Sequence, residues 1–108
     1  MRRMISRFSI IILSCPIFGQ VLINEYSASN LTIYTDNYQL EEDWIELHNA
    51  SNTEEDIGGY FLSDDPEEST KWMIPSGTML PADAYIVFWC SGRDEYSDNN
   101  YHTNFKLK

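Results

Sequence analysis

Asp43-Trp44-Ile45-Glu46-Leu47-His48-Asn49 is a short run of alternating apolar and polar side chains that ends in turn-forming residues. Side chains along a strand point alternately to opposite faces, so Ile45, Leu47 and Asn49 fall on one face and Trp44, Glu46 and His48 on the other. The stretch Gly58-Gly59-Tyr60-Phe61-Leu62-Ser63-Asp64-Asp65-Pro66 has the same design: a glycine turn, a strand over residues 60–63 with Tyr60 and Leu62 facing the core, and a second turn. Together the two runs predict an all-β module.

Working outward, residues 21–26 read as the first strand and residues 70–74 as a strand with Trp72 and Ile74 inward, ended by Pro75, which cannot donate to a ladder. Residues 85–90 are apolar on both faces, as a central strand covered from both sides requires. The stretches 27–42, 50–56, 64–69 and 91–104 are rich in Asn, Asp, Ser or Gly and read as connections, with a fragmentary sixth strand over residues 105–107. No amphipathic helix, internal repeat or dividing linker is visible.

Several elements in order carry a family resemblance: Ile23-Asn24-Glu25, Ser29-Asn30, the run 43–49, the run 59–66, Thr70-Lys71-Trp72, Ile74-Pro75, Gly77-Thr78, Pro81, residues 85–89, Ser91-Gly92 and His102-Thr103-Asn104-Phe105-Lys106-Leu107. In this order and spacing the sequence resembles the lamin tail domain, also common in secreted bacterial proteins. The resemblance implies an immunoglobulin-like β-sandwich. Domains of that family continue past the Phe-Lys-Leu element, whereas this sequence stops at Lys108. The resemblance therefore implies missing C-terminal strands and an open sheet edge that a partner strand could complete.

Arg2, Arg3 and Arg7 precede the apolar residues 8–13, which resume at Ile17-Phe18 and end at Gly19. That pattern predicts a signal peptide over residues 1–19 and a domain over residues 20–108. The apolar run falls short of the ~20 residues a membrane span needs. Lipid anchoring at Cys15 is a second reading, weakened by Pro16 and by the short apolar run before it. The sequence is therefore expected to be secreted or displayed at the cell surface. Removal of residues 1–19 takes three arginines and no acids, so the net charge of −10 becomes −13. Such a chain repels phosphate backbones, which excludes a nucleic-acid binder; the association of some lamin tail domains with DNA is not carried over. Only Cys90 survives cleavage, and its place in an apolar run predicts a buried thiol.

The best candidate site is acidic. Asp64, Asp65 and Glu67 crowd one turn and are candidate calcium ligands, since calcium takes six to eight oxygens. Glu68 adjoins them, and Glu41, Glu42, Asp43 and Asp94, Glu95, Asp98, Asn99 form two further acidic groups. None follows the EF-hand spacing, and the competing reading of Ser63-Asp64-Asp65-Pro66 is a tight turn whose first carboxylate accepts backbone N–H bonds. No other cofactor is implied. His48 and His102 are the only histidines and lack zinc spacing, so hydrogen-bonded structural roles are expected of both. Serine, histidine and acids are present without a Gly-x-Ser-x-Gly turn, and no residue is assigned a catalytic role. Trp44, Tyr34, Tyr38, Tyr96 and Tyr101 are candidates for stacking on a sugar, while Trp72, Trp89, Tyr60 and Phe88 are expected in the core.

The expected function is a noncatalytic extracellular binding or structural module within a larger secreted protein. Its partners would be a protein or a cell-surface glycan, with no nucleic acid and no membrane span after cleavage. The alternatives are an accessory domain leading a truncated extracellular enzyme (a hydrolase, a nuclease or a spore-coat kinase-like protein) and a calcium-dependent adhesion module.

Overall fold

Alternation along residues 44–49 builds the strand on which the rest is assembled. The computed structural model describes residues 11–14, 21–27 and 34–107, and among them there are strands and turns but no helix. The strands are β1 (Ile12–Ser14), β2 (Val21–Ser27), β3 (Trp44–Asn49), β4 (Glu55–Asp56), β5 (Phe61–Ser63), β6 (Trp72–Met73), β7 (Met79–Leu80), β8 (Tyr85–Trp89), β9 (Glu95–Ser97) and β10 (Asn100–His102).

Five of them form a sheet in the order β2-β3-β8-β10-β9, three a sheet in the order β1-β5-β6, and β4 pairs with β7. All pairings are antiparallel except β10 on β8. The inner face of the large sheet contributes Val21, Ile45, Leu47 and Phe88 to one cluster, which Leu62, Trp72, Ile74 and Leu80 complete from the opposite side. Trp72 meets Phe88 edge-on at 5.8 Å between ring centroids. Full burial of a side chain such as Leu47 or Phe88 contributes about 2 kcal/mol, so this cluster is the main stabilising term. The result is a β-sandwich with the core between the sheets.

Strands expected over residues 21–26, 43–49, 60–63, 70–74 and 85–90 all form, with ends shifted by one or two residues. Cys90 lies just beyond β8, buried, and its N–H donates to Asp43 O at 2.7 Å. Two expectations are corrected. Residues 105–107 form no strand; Phe105 instead enters the core while Thr103 Oγ1 donates to its carbonyl at 2.8 Å. The connections at 50–56 and 91–104 contain β4 and the β9–β10 hairpin. Asp98 and Asn99, at φ 48° and 63°, make the two-residue hairpin turn.

β1 falls within the segment read as a leader. Its residues pair with β5 in the register Ile12↔Ser63, Leu13↔Leu62 and Ser14↔Phe61, and Ile11 and Leu13 pack against the core. Of the remaining leader positions, 1–10 and 15–19 lie outside the described residues, as does Ser29-Asn30.

Candidate functional site

The same alternation that sends Ile45 and Leu47 inward points Trp44, Glu46 and His48 at the outer face of the large sheet. Register sets Trp44 opposite Trp89, Glu46 opposite Val87 and His48 opposite Tyr85. Tyr34 stands over Trp44 edge-on, with ring centroids 5.5 Å apart at 75°. Tyr34, Trp44, Glu46, Val87 and Trp89 line a pocket of about 180 Å³.

Two polar features belong to its lining residues. The β2–β3 pairing shifts register between Ile23 and Glu25, a bulge at Asn24, whose Nδ2 donates to Glu46 Oε1 at 2.7 Å. The other oxygen of Glu46 remains an acceptor. The two paired tryptophans differ: Trp89 Nε1 donates to Asn100 Oδ1 at 2.9 Å, whereas Trp44 Nε1 is buried with no acceptor among the described residues.

The connection beyond Tyr34 is tied to itself and to the sheet. Asp36 Oδ1 accepts the N–H groups of Tyr38 and Leu40 at 2.9 and 3.0 Å, and Gln39 sits at φ 63° to close the turn. Asn37 Oδ1 lies 2.7 Å from His102 Nε2, and Asn37 Nδ2 donates to Ser97 Oγ at 3.0 Å. With its nitrogen so engaged, Asn37 presents oxygen to the ring, so His102 carries its proton on Nε2 and accepts from Ser91 Oγ, 2.8 Å away, at Nδ1. Burial pushes the His102 pKa below its ordinary 6.5 against the opposing fields of Asp36 and Glu95. A serine and a histidine are thus brought together, but both are buried and both ring nitrogens are bonded within the fold. His48 Nε2 lies 2.9 Å from Asp83 Oδ1 and its ring stacks on Tyr85 at 4.2 Å. Both histidines hold the hydrogen-bonded places expected of them.

Of the candidate calcium ligands Asp64, Asp65 and Glu67, the first two have a carboxylate oxygen bonded within the fold. Asp64 is buried and its Oδ1 accepts from Lys71 Nζ at 2.9 Å, while Asp65 Oδ1 accepts the Glu67 N–H at 2.9 Å. Ser63 Oγ accepts the Asp65 N–H at 2.9 Å and donates to Glu68 O at 2.7 Å. The turn is therefore capped by Ser63 and Asp65, not by the first carboxylate, Asp64, as the sequence led one to expect. Among the described residues no group of three or more His, Cys, Asp or Glu is placed to hold a metal ion. Burial pushes the Cys90 thiol pKa up, so the thiol stays protonated and unreactive.

Of the aromatic candidates, the structure joins Trp44 and Tyr34 and disperses the others. Tyr38 donates to Glu95 Oε2 and lies under the Arg93 guanidinium at 3.8 Å; the hydrogen bond holds the Glu95 carboxyl below its ordinary range. Tyr96 and Tyr101 pack on each other at 4.4 Å, and Tyr101 continues onto Phe88. Trp89, expected in the core, is buried on the opposite face of the sheet and walls the pocket with Val87. The signal was present in the alternation Tyr85, Val87, Trp89, which a run apolar on both faces conceals.

A family model described as "Lamin Tail Domain" matches residues 18–108. The chain belongs to the lamin tail domain family. That family is one of immunoglobulin-like, non-enzymatic domains, and the sandwich described above is its fold. No curated protein and no solved structure matches the chain. For this lamin tail domain the outer-face pocket is thus a feature of the chain's own residues, read from their geometry.

Proposed function

We propose that this lamin tail domain is a noncatalytic binding module of a secreted or cell-surface protein, and that it takes its ligand on the outer face of the five-stranded sheet. The observation that supports it best is the pocket itself: three aromatic rings and one carboxylate converge on a cavity beside a sheet whose other face is committed to the core. Concave, mostly apolar sites with few polar groups are the usual form of a ligand site. The Ser91–His102 pair is buried, and both ring nitrogens of His102 are bonded within the fold. Export is supported by the basic-then-apolar residues 2–13, and the acidic balance of −10 suits a soluble extracellular surface. A larger secreted protein, in which this module positions or adheres, is the context such a domain serves.

The test is a backbone amide NMR screen of the full chain against neutral sugars, alkylammonium ions, amino acids and short peptides, with each compound's own spectrum followed over hours. Binding predicts shifts confined to the neighbourhood of Trp44, Glu46 and Val87, with every compound recovered unchanged. Conversion of any compound, or silence across all four classes, would sink the proposal.

A further inference from the structure

We infer that the outer-face pocket binds the quaternary ammonium head of a small, choline-like cation. This rests on the reading of that face as a binding site and gives the ligand its chemistry. The walls come first. Tyr34, Trp44 and Trp89 line the pocket, and Tyr34 stands at 75° to Trp44. Two rings set nearly at right angles bound a corner with a face of each. Ring faces carry the negative part of the aromatic quadrupole and attract a cation within about 6 Å of the centroid.

Charge points the same way. Glu46 brings a carboxylate to the lining. The lysines and arginines among the described residues are Lys71, Arg93 and Lys106, and they are engaged with the Asp64 carboxylate, the Tyr38 ring and, at 4.0 Å, the Glu42 carboxylate. None of these three is paired with Glu46, in a chain of net charge −10. A carboxylate attracts a cation through space, so this attraction does not depend on a hydrogen bond to the ligand.

Hydrogen bonding decides which cation. A primary ammonium is strongly hydrated and brings three N–H donors, yet Glu46 Oε1 already accepts from Asn24 Nδ2, so such an ion would give up its water for few partners. A quaternary head has no N–H to satisfy, and its methyl groups suit the apolar surface of the rings and Val87. Neutral polar ligands fare worse. Trp89 Nε1 donates to Asn100 Oδ1 at 2.9 Å and Trp44 Nε1 is buried, so neither indole offers a donor to a hydroxyl or an amide oxygen. A phosphate attached to the head would bring an anion towards Glu46 while Lys71, Arg93 and Lys106 are engaged elsewhere. Size sets the last limit. A cavity of about 180 Å³ corresponds to the share of roughly six liquid waters, room for a trimethylammonium head and little more.

The experiment separates charge from shape. The full ¹⁵N-labelled chain is titrated with choline chloride and with 3,3-dimethylbutan-1-ol, which has the same shape with carbon in place of the charged nitrogen. Ethanolamine, the primary counterpart, and phosphocholine are titrated in parallel. Choline is expected to move the backbone amides of Trp44, Glu46 and Val87 and to leave still the indole signal of Trp72, whose Nε1 donates to Asp94 Oδ1 at 2.8 Å. It should bind at least about fivefold more tightly than each of the other three, the equivalent of one cation–π contact. Tyr34→Leu, which keeps an apolar wall without a ring, and Glu46→Gln, which keeps the oxygen that Asn24 uses, should each weaken choline binding by about the same fivefold factor. Unshifted amides in the core would show that both variants fold. Equal binding of the dimethylbutanol would overturn the claim that the site reads charge, and equal binding of ethanolamine the claim that it reads a quaternary head. Phosphocholine bound as tightly as choline would overturn the claim that the ligand carries no anion. If a sugar, amino acid or peptide of the wider screen moves the pocket amides and choline does not, the binding module stands and the ammonium inference falls. Silence from every probe here and in that screen would remove both readings.

Discussion

Lys71 is the residue whose single bond has the largest consequence. Its ammonium meets the Asp64 carboxylate at 2.9 Å, and the Asp64 side chain is wholly buried. Lys71 is held protonated above its ordinary 10.5, first by the hydrogen bond to Asp64 and against the opposing effect of burial. Its ammonium also lies 5.1 Å from the centre of the Phe105 ring, so it joins the turn after β5 to the C-terminal residues. Removing one partner of a buried pair leaves the other uncompensated, at a cost of about 3–5 kcal/mol. Lys71→Met is therefore expected to destabilise the domain by about 3 kcal/mol in urea unfolding, and adding Asp64→Leu should recover most of that loss. A Lys71→Met protein as stable as the parent would show that Asp64 needs no counter-charge. At this scale the sequence was partly readable. Alternation placed Ile45, Leu47 and Asn49 on one face, and all three are fully buried. It did not reveal that the Asn49 amide faces the carbonyls of Thr53, Leu80 and Pro81, because those partners are brought to it only by the sandwich. Nor could it show that Asp64 faces a lysine seven positions on, where a cation-binding turn looked as natural.

Elements are fastened to one another through His102. From β10 its ring reaches Asn37 in the connection before β3 and Ser91 in the turn after β8, and Ser91 Oγ also accepts the Arg93 N–H at 3.2 Å. The neutral ring is required, because Nδ1 acts as an acceptor. Burial lowers its pKa in the folded state below 6.5, so the unfolded chain binds the proton more readily. Its contribution is therefore fully present above pH 6.5 and is lost as pH falls through the lower, folded value. Melting temperature followed from about pH 8 to about pH 5 should begin to decline as pH falls below 6.5, and His102→Gln should remove that part of the decline. An unchanged profile in the variant would assign the pH dependence to carboxylates such as Glu95 instead. The hairpin that carries His102 was concealed in the sequence by its polarity. Glu95-Tyr96-Ser97 and Asn100-Tyr101-His102 flank Asp98-Asn99 symmetrically, but strands so polar read as connection until β8 supplies a partner.

For the molecule as a whole, the decisive question is what covers β5. One edge of β5 pairs with β6 and the other with β1, which lies in the basic-then-apolar segment read as a leader. The two readings of residues 11–14 make opposite demands. As a leader they are cut away; as a strand they cover the edge of β5 and lay Ile11 and Leu13 on the core. An unpaired edge beside apolar side chains invites pairing with another chain. Loss of two partly buried aliphatic side chains and a short ladder amounts to about 2–4 kcal/mol, and each kcal/mol moves the melting temperature by about 4–8 °C in a domain of this size. A chain beginning at residue 20 is therefore expected to melt at least about 8 °C below the full chain and to self-associate on warming. A synthetic peptide of residues 8–16 should restore the loss in trans by refilling the edge. Equal melting of the two chains would make β1 dispensable and leave the leader reading unopposed. A loss that the peptide repairs would make the β5 edge a strand acceptor, so an exported form of this domain would need a strand from elsewhere to reach its full stability.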